Sequence, residues 1–271
     1  MKYGSHKHYI QVTKIKRLAY KIFGEIHIPA RIRANHVLKY LREEEVLNKD
    51  GVRYLDAGSG KGDMSFFLAN RNPNWLVEGV EYEVVNIEAC EKNNEFLDLK
   101  NISFYQGDLT ALNKKASYDL ITNMDVLEHI EKDQQVIRNF YQALAPDGRL
   151  VLTFPSNPQY PHLKAVSKRD KKYSITLEDS GHVRPGYSPQ QIEKMLRDEG
   201  FVNVKAKYTF GWPGTRAFDL FFIIGDSKPN PIIFLLFFPL LLFLGWVDVK
   251  KTSHKLGSAL LVTAQKDKDV N

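Results

Sequence analysis

Leu55-Asp56-Ala57-Gly58-Ser59-Gly60-Lys61-Gly62-Asp63 is the most informative segment of the chain. Gly58 and Gly60 permit a tight turn and a close approach of backbone to a ligand, and Gly62 lets a helix pack close to a strand. The G-x-G-x-G spacing is not the G-x-G-x-x-G of dinucleotide binders, and no Gly-Lys-Ser/Thr follows to make a phosphate-binding loop. Asp56, just ahead of the glycines, would repel a pyrophosphate but suits a cationic ligand. Three further acids follow: Glu81 in Gly79-Val80-Glu81-Tyr82, Asp108 in Gln106-Gly107-Asp108-Leu109, and Asp125 in Asn123-Met124-Asp125. A carboxylate at Glu81 can accept both hydroxyls of a ribose, and Asp108 can meet an adenine amino group. Each acid alone reads most simply as a solvated loop residue.

Their positions along the pattern change that reading. Short apolar runs at Val52–Leu55, Leu76–Val80, Ile102–Gln106, Tyr118–Thr122 and Arg149–Phe154 read as strands. Helical patterns at Gly62–Asn70, Val84–Leu97 and Gln134–Leu144 separate them. Such alternation predicts an α/β fold, a doubly wound parallel sheet with helices on both faces. Pro189–Glu199 adds a helix, started by Ser188-Pro189 and stopped by Gly200. Phe201–Tyr208 and Ser258–Ala264 read as closing strands. Every acid named above then falls at the carboxyl end of a strand, where open parallel sheets bind ligands.

The segment Asp125-Val126-Leu127-Glu128-His129-Ile130 resembles a stretch of one family, as do four others: Asp56-Ala57-Gly58-Ser59-Gly60-Lys61-Gly62, Gly79-Val80-Glu81, Gln106-Gly107-Asp108-Leu109 and Leu144-Ala145-Pro146-Asp147-Gly148. Together they resemble class I S-adenosylmethionine-dependent methyltransferases, and within them the small-molecule group of the ubiquinone and menaquinone pathways. The match covers roughly residues 31–210 and the final strand. Ser59 departs from the Cys of many members. The resemblance implies a Rossmann-like seven-stranded sheet, with the last strand antiparallel and inserted beside the sixth, and S-adenosylmethionine as cofactor. It implies a cofactor-binding set of Asp56, Ala57, Gly58, Ser59, Gly60 and Gly62 at the methionine part. Glu81 and Tyr82 are expected at the ribose, Asp108 and Leu109 at the adenine, and Asn123 and Asp125 near the sulfonium. His129 and His182 are candidates for a general base, although a histidine at a helix start also serves as a structural hydrogen-bonding residue. Arg184 and Tyr187 follow in the expected substrate-covering loop (Asp179 to Tyr187), where Arg184 would hold either an anionic substrate group or the loop. Asp125, Glu128 and His129, with His182, are similar to an arrangement that carries a metal in some relatives. Leu-Glu-His-Ile is also common in metal-free ones, so no metal ligand is assigned.

The composition has two anomalies. Its 43% hydrophobic and 26% charged residues are those of an ordinary globular chain. They exclude a wholly disordered chain and a multi-span membrane protein. The single cysteine, Cys90, excludes an internal disulfide and favours a reducing compartment. Yet residues 1–42 hold ten basic side chains against Glu25 alone, so a chain of net charge +6 is acidic beyond them. Ile10, Val12, Ile15, Leu18, Ala19 and Ile22 recur there at helical spacing between lysines and arginines. Such a basic amphipathic helix lies on an anionic membrane surface or packs its stripe on the domain. No secretory signal pattern is present.

The second anomaly is Pro231–Val247, which has no charge, six Leu and four Phe. It is slightly short for a spanning helix, and Pro239 would kink it. Both ends join strands expected to be neighbours in one sheet, so a single crossing is topologically excluded. The expectation is a re-entrant or in-plane hairpin with Phe218–Ile224, and a cytoplasmic protein held peripherally or monotopically on the inner face of the cytoplasmic membrane. The chain thus divides into a basic helical arm, 1–42, and a methyltransferase domain, 43–271, with an apolar helical insert, 211–256, between strands six and seven. The expected acceptor is small and hydrophobic or lipid-soluble. A soluble enzyme using the insert as a substrate lid, and a non-catalytic protein that keeps the cofactor pocket, are the alternatives. No nucleic-acid partner is expected, and nothing in the sequence sets an oligomeric state.

Overall fold

The computed structural model describes residues 2–8, 14–166, 181–225, 231–251 and 253–269. Ile10 and Val12 of the expected basic helix, and Asp179 and Ser180 of the expected loop, lie outside the described residues. A short 3-10 turn (Ser5–His8) and α1 (Lys14–Phe23) precede α2 (Ile28–Glu43). Strands and helices then alternate as β1 (Arg53–Ala57), α3 (Asp63–Arg71), β2 (Leu76–Glu81), α4 (Val84–Leu97), β3 (Ile102–Gln106), β4 (Tyr118–Met124), α5 (Asp133–Ala143) and β5 (Leu144–Pro155). After α6 (Pro189–Asp198) come β6 (Val202–Thr209), α7 (Trp212–Gly225), α8 (Pro231–Lys250) and β7 (Ala259–Gln265).

Among the described residues, seven strands form one sheet in the order β3-β2-β1-β4-β5-β7-β6. β7 is antiparallel to both its neighbours, and the other described pairings are parallel. Strand side chains alternate between faces. Tyr54, Leu120 and Val151 enter the core under α2 and α3, while their chain neighbours Leu55, Ile121 and Leu150 enter the core under α5 and α6. Both faces are therefore dry, which is why these strands read as continuous apolar runs. Strand order reverses between β1 and β4, and the crevice at that point is where such sheets hold ligands. β5 begins earlier than Arg149, because Leu144 already pairs with Tyr118 of β4.

Two helix starts show how local sequence sets the frame. The Ser188 hydroxyl accepts a hydrogen bond from the Gln191 amide at 3.2 Å, with Pro189 in the first turn of α6. His27 Nδ1 accepts from the Ala30 amide at 3.3 Å ahead of α2. Ala34, Val37, Leu38 and Leu41 of α2 pack in one cluster with Tyr54 and Leu120, so part of the expected arm is a layer of the sheet domain.

The insert is a helical hairpin. Thr209 of β6 lies opposite Ala259 of β7, so the chain leaves and re-enters the sheet at paired positions. Gly214, near the start of α7, donates its amide to Asp248 near the end of α8 at 3.0 Å. The Phe221 and Phe234 rings meet at the other end, 6.1 Å between centroids. The helices therefore run antiparallel. A third core cluster of Ile28, Ile32, Phe210, Ala217, Phe238 and Leu241 fastens the hairpin to α2. α8 is continuous through Pro239.

Candidate active site

The glycine loop joins β1 to α3. Gly58, Gly60 and Gly62 all have positive φ, which side chains other than glycine rarely adopt. At Gly58 space also matters, since a Cβ would lie 2.4 Å from Val126 Cγ2. The Gly58 and Ser59 amides both donate to the Val80 carbonyl, at 2.8 and 2.9 Å. The Gly60 amide donates to Glu81 Oε2 at 2.8 Å, and the Glu83 amide to Glu81 Oε1 at 3.0 Å. The loop is thereby tied to the end of β2. Asp56 lies beneath it and is 3% exposed. Its carboxylate accepts from Ser65 Oγ at 2.5 Å and Thr122 Oγ1 at 3.2 Å. Burial pushes the Asp56 carboxyl up to about 6, with the Ser65 and Thr122 hydroxyls opposing that rise.

A cavity of 760 Å³ opens beside this loop at the carboxyl ends of β1 to β4. Gly58, Gly60, Glu81, Tyr82, Asp108 and Leu109 line it on one side, and Asp125 and His129 on the other. Asp108 also caps the following turn, its Oδ1 accepting from the Thr110 amide at 2.8 Å. Ala57, Ser59, Gly62 and Asn123 belong to the layer behind the wall with Asp56. Ala57 and Asn123 are fully buried, and Asn123 Nδ2 donates to the Ala57 carbonyl at 2.8 Å.

Asp125 has φ +54, a left-handed conformation that its surroundings fix. Its amide donates to the Thr153 carbonyl at 2.8 Å, and Thr153 Oγ1 donates to Oδ1 at 3.2 Å. Oδ2 pairs with the guanidinium of Arg33 on α2. Burial raises the Asp125 carboxyl above its ordinary value, with Arg33 opposing. One turn on, Glu128 is 1% exposed and its Oε2 has no hydrogen-bond partner among the described residues. Burial first, then the Asp125 charge, raises its carboxyl well above the ordinary range. His129 Nδ1 contacts the Gly181 carbonyl at 2.9 Å, and the His129 and His182 rings stand edge to face, 4.6 Å apart. Burial and the neighbouring His129 lower the His182 imidazole. Glu128, His129 and His182 each offer one ligand atom, all within 4.8 Å of one another. An oxygen and two imidazole nitrogens suit a divalent transition metal.

Arg184 and Tyr187 support this turn from behind. Arg184 donates to the carbonyls of Leu127, Ile130 and Glu131 and lies 3.3 Å from Asp133. Tyr187 is fully buried and donates to Asp133 Oδ2 at 2.8 Å. The Arg184 guanidinium is therefore occupied by carbonyls, and the Tyr187 hydroxyl is enclosed away from the cavity. Asn86, Thr110 and Glu131 line the cavity without having been singled out in the sequence, and nothing in their spacing marks them. Arg33 also had no local signal, since its partner Asp125 is remote in sequence.

A family model described as "Methyltransferase domain" matches residues 48–200. Among curated relatives, a ubiquinone biosynthesis O-methyltransferase of Rickettsia typhi is 30% identical over 217 residues, 79% of this chain and 84% of that protein. Another, from Psychrobacter arcticus, is 29% identical over 158 residues, covering 56% of this chain and 60% of its own length. A malonyl-acyl-carrier-protein O-methyltransferase of Bacillus cereus is 25% identical over 62% of each chain. Those last two alignments thus span less than two thirds of the relatives' lengths. Among solved structures, Haemonchus contortus phosphoethanolamine N-methyltransferase 2, in complex with phosphomonomethylethanolamine and S-adenosylhomocysteine, has a TM-score of 0.62 at 16% identity, covering 98% of this chain and 61% of that one. The cyclase SpnF has a TM-score of 0.57 at 20% identity over 88% of this chain and 82% of its own. At such identities the likeness is one of fold, and one fold serves more than one chemistry.

Proposed function

The chain belongs to the class I S-adenosylmethionine-dependent methyltransferases, and from that premise we propose that it methylates a small, lipid-soluble acceptor while seated monotopically on the inner face of the cytoplasmic membrane. The cavity fits the cofactor. Glycines without Cβ atoms leave room at Gly58 and Gly60, and Glu81 and Asp108 stand on successive strand ends beside them. Glu81 binds the ribose hydroxyls and Asp108 with Leu109 holds the adenine. Asp56 acts one layer back as a positioning residue for the loop. When bound, the cofactor supplies a methyl group on a sulfonium, already an electrophile. What the protein adds is alignment of the acceptor and exclusion of water. His129, which lines the cavity, or His182, whose ring packs against it, takes the proton of an acceptor that must lose one. Asp125, held by its ion pair with Arg33, frames the acceptor side of the cavity.

One observation carries the membrane part. α8 is long and apolar enough to cross a membrane by length and composition, yet only 22% of it is buried. Ile232, Leu235 and Leu236 are 76%, 65% and 75% exposed. A core helix would hide them, and a lid over the cavity would face them inward. Phe23 at the end of α1 meets Phe238 of α8 at 5.2 Å, so the basic helix and the apolar hairpin adjoin. Leu18 and Ile22 of α1 are exposed beside Arg17 and Lys21. This supports one combined membrane-facing surface. The reading is tested by incubating the protein with labelled cofactor and a membrane lipid extract. Label is expected in an extractable lipid-phase product, and label confined to water-soluble products would contradict it.

A second reading concerns a metal, and the unpartnered Glu128 Oε2 favours it. Glu128, His129 and His182 would hold a divalent ion, which would acidify an acceptor hydroxyl. Turnover that survives exhaustive chelation would dispose of it.

A further inference from the structure

A trough of 860 Å³ runs between α2 and α8. Its apolar wall comprises Ile28, Ile32, Leu241, Leu242 and Gly245, with the exposed ring of Trp246 beside them. Gly245 lets the two helices approach, since a Cβ there would lie 2.9 Å from Ile32 Cγ1. The one carboxylate among the described residues lining the trough, Glu43, lies 3.9 Å from Lys39. Arg31, Asn35 and Arg42 border the trough and also line a second cavity of 180 Å³. Lys2 and Arg71 complete that cup. Four cationic side chains therefore surround it, and no carboxylate among the described residues lines it. Backbone carbonyls fix two of them, as Lys2 donates to Ile22 and Arg31 to Glu25. Arg42 and Arg71 are exposed.

We propose that trough and cup form one binding site for a single anionic phospholipid, with the phosphate among Lys2, Arg31, Arg42 and Arg71 and an acyl chain along Ile28, Ile32, Leu241 and Trp246. Charge complementarity selects this occupant. Clustered cations without an acid call for an anion, and an apolar trough sharing three residues with them calls for an attached hydrocarbon chain. A free phosphate would leave the trough bare, and a neutral lipid would leave the cup uncompensated. The site rests on the membrane-seated reading and deepens it, because one lipid held between α2 and α8 would set how the hairpin sits in the leaflet.

The test uses the full chain and short-chain lipids below their micellar concentrations, followed by titration calorimetry and tryptophan fluorescence. Dihexanoylphosphatidylglycerol is expected to bind one to one and to perturb Trp246, and dihexanoylphosphatidylcholine to bind weakly. Arg42→Gln with Arg71→Gln is expected to weaken binding of the anionic lipid roughly 30-fold, for two solvent-exposed charge pairs. The same substitutions are expected to leave cofactor binding unchanged. Absence of saturable binding, equal affinity for both lipids, binding of inorganic phosphate as tight as that of the lipid, or indifference to the double substitution would each overturn the site. Flotation on equimolar phosphatidylcholine–phosphatidylglycerol vesicles separates the two levels. Flotation without short-chain binding removes the site and keeps the membrane reading, whereas loss of both removes both.

Discussion

Glu81 is placed to do two things with one carboxylate. It holds the Gly60 and Glu83 amides, and it faces the cavity where ribose hydroxyls are proposed to bind. Glu81→Gln keeps the shape but loses charge, and is expected to weaken S-adenosylmethionine binding by roughly 10- to 100-fold, as for hydrogen bonds to a charged group. Calorimetry with an unchanged melting temperature would check it. Gly58→Ala is expected to do worse, because its Cβ would strike Val126 and the loop could not keep its positive φ. The acids and glycines of this loop were legible in the sequence because each sits within a few residues of a strand end. Arg33 was not, because a contact between α2 and the end of β4 is made by tertiary packing and leaves no local spacing. Arg184 and Tyr187 were legible as a polar loop pair, but only the structure shows them turned toward the Leu127–Glu131 carbonyls and Asp133. Arg184→Met is therefore expected to lower the melting temperature by several degrees, for about 2 kcal/mol of buried hydrogen bonding lost.

Among the elements, α2 links the site to the insert. It carries Arg33 to Asp125 and, about one turn away, His36 to Asp248. Asp248 is fully buried. Its carboxylate accepts from His36 at 2.8 Å and from the Phe210 and Gly214 amides at 3.0 Å each. Burial is the largest single influence and would raise this carboxyl, but the His36 hydrogen bond and charge, the His254 charge and the Gly214 amide together hold it below its ordinary value of 3.8. A depressed carboxyl contributes stability that is present above its unfolded pKa and is lost as pH falls through the folded value. Acid denaturation should therefore draw on this group below about pH 4. Asp248→Asn is expected to cost about 2–4 kcal/mol at pH 7 and to flatten that acid limb, as read by urea unfolding across pH. An unchanged pH profile would contradict it. The strand and helix order was legible from apolar periodicity alone. The seating of the hairpin on α2 was not, because the Pro231–Val247 run is apolar on every side and marks no preferred face.

For the whole molecule, the fold unites two features far apart in the chain. The basic helix and the apolar insert were each legible from composition, and β6–β7 adjacency from the resemblance. That they adjoin is visible only once α1 and α8 meet through Phe23 and Phe238. Leu235→Ser with Leu236→Ser removes two exposed apolar side chains and nothing from the core. Each leucine moved out of water contributes roughly 1.5–3 kcal/mol, so the pair is expected to weaken vesicle binding at least about 100-fold and to leave cofactor affinity intact. The central claim is methyl transfer to a membrane-borne acceptor. It is tested most directly by supplying labelled S-adenosylmethionine to the wild-type and Leu235→Ser/Leu236→Ser proteins, each with membranes and with the same lipids dispersed in detergent. The prediction is lipid-phase label from both proteins in detergent but only from the wild type on intact membranes. Equal labelling of intact membranes by the two proteins, or no lipid-phase label from either, would contradict it.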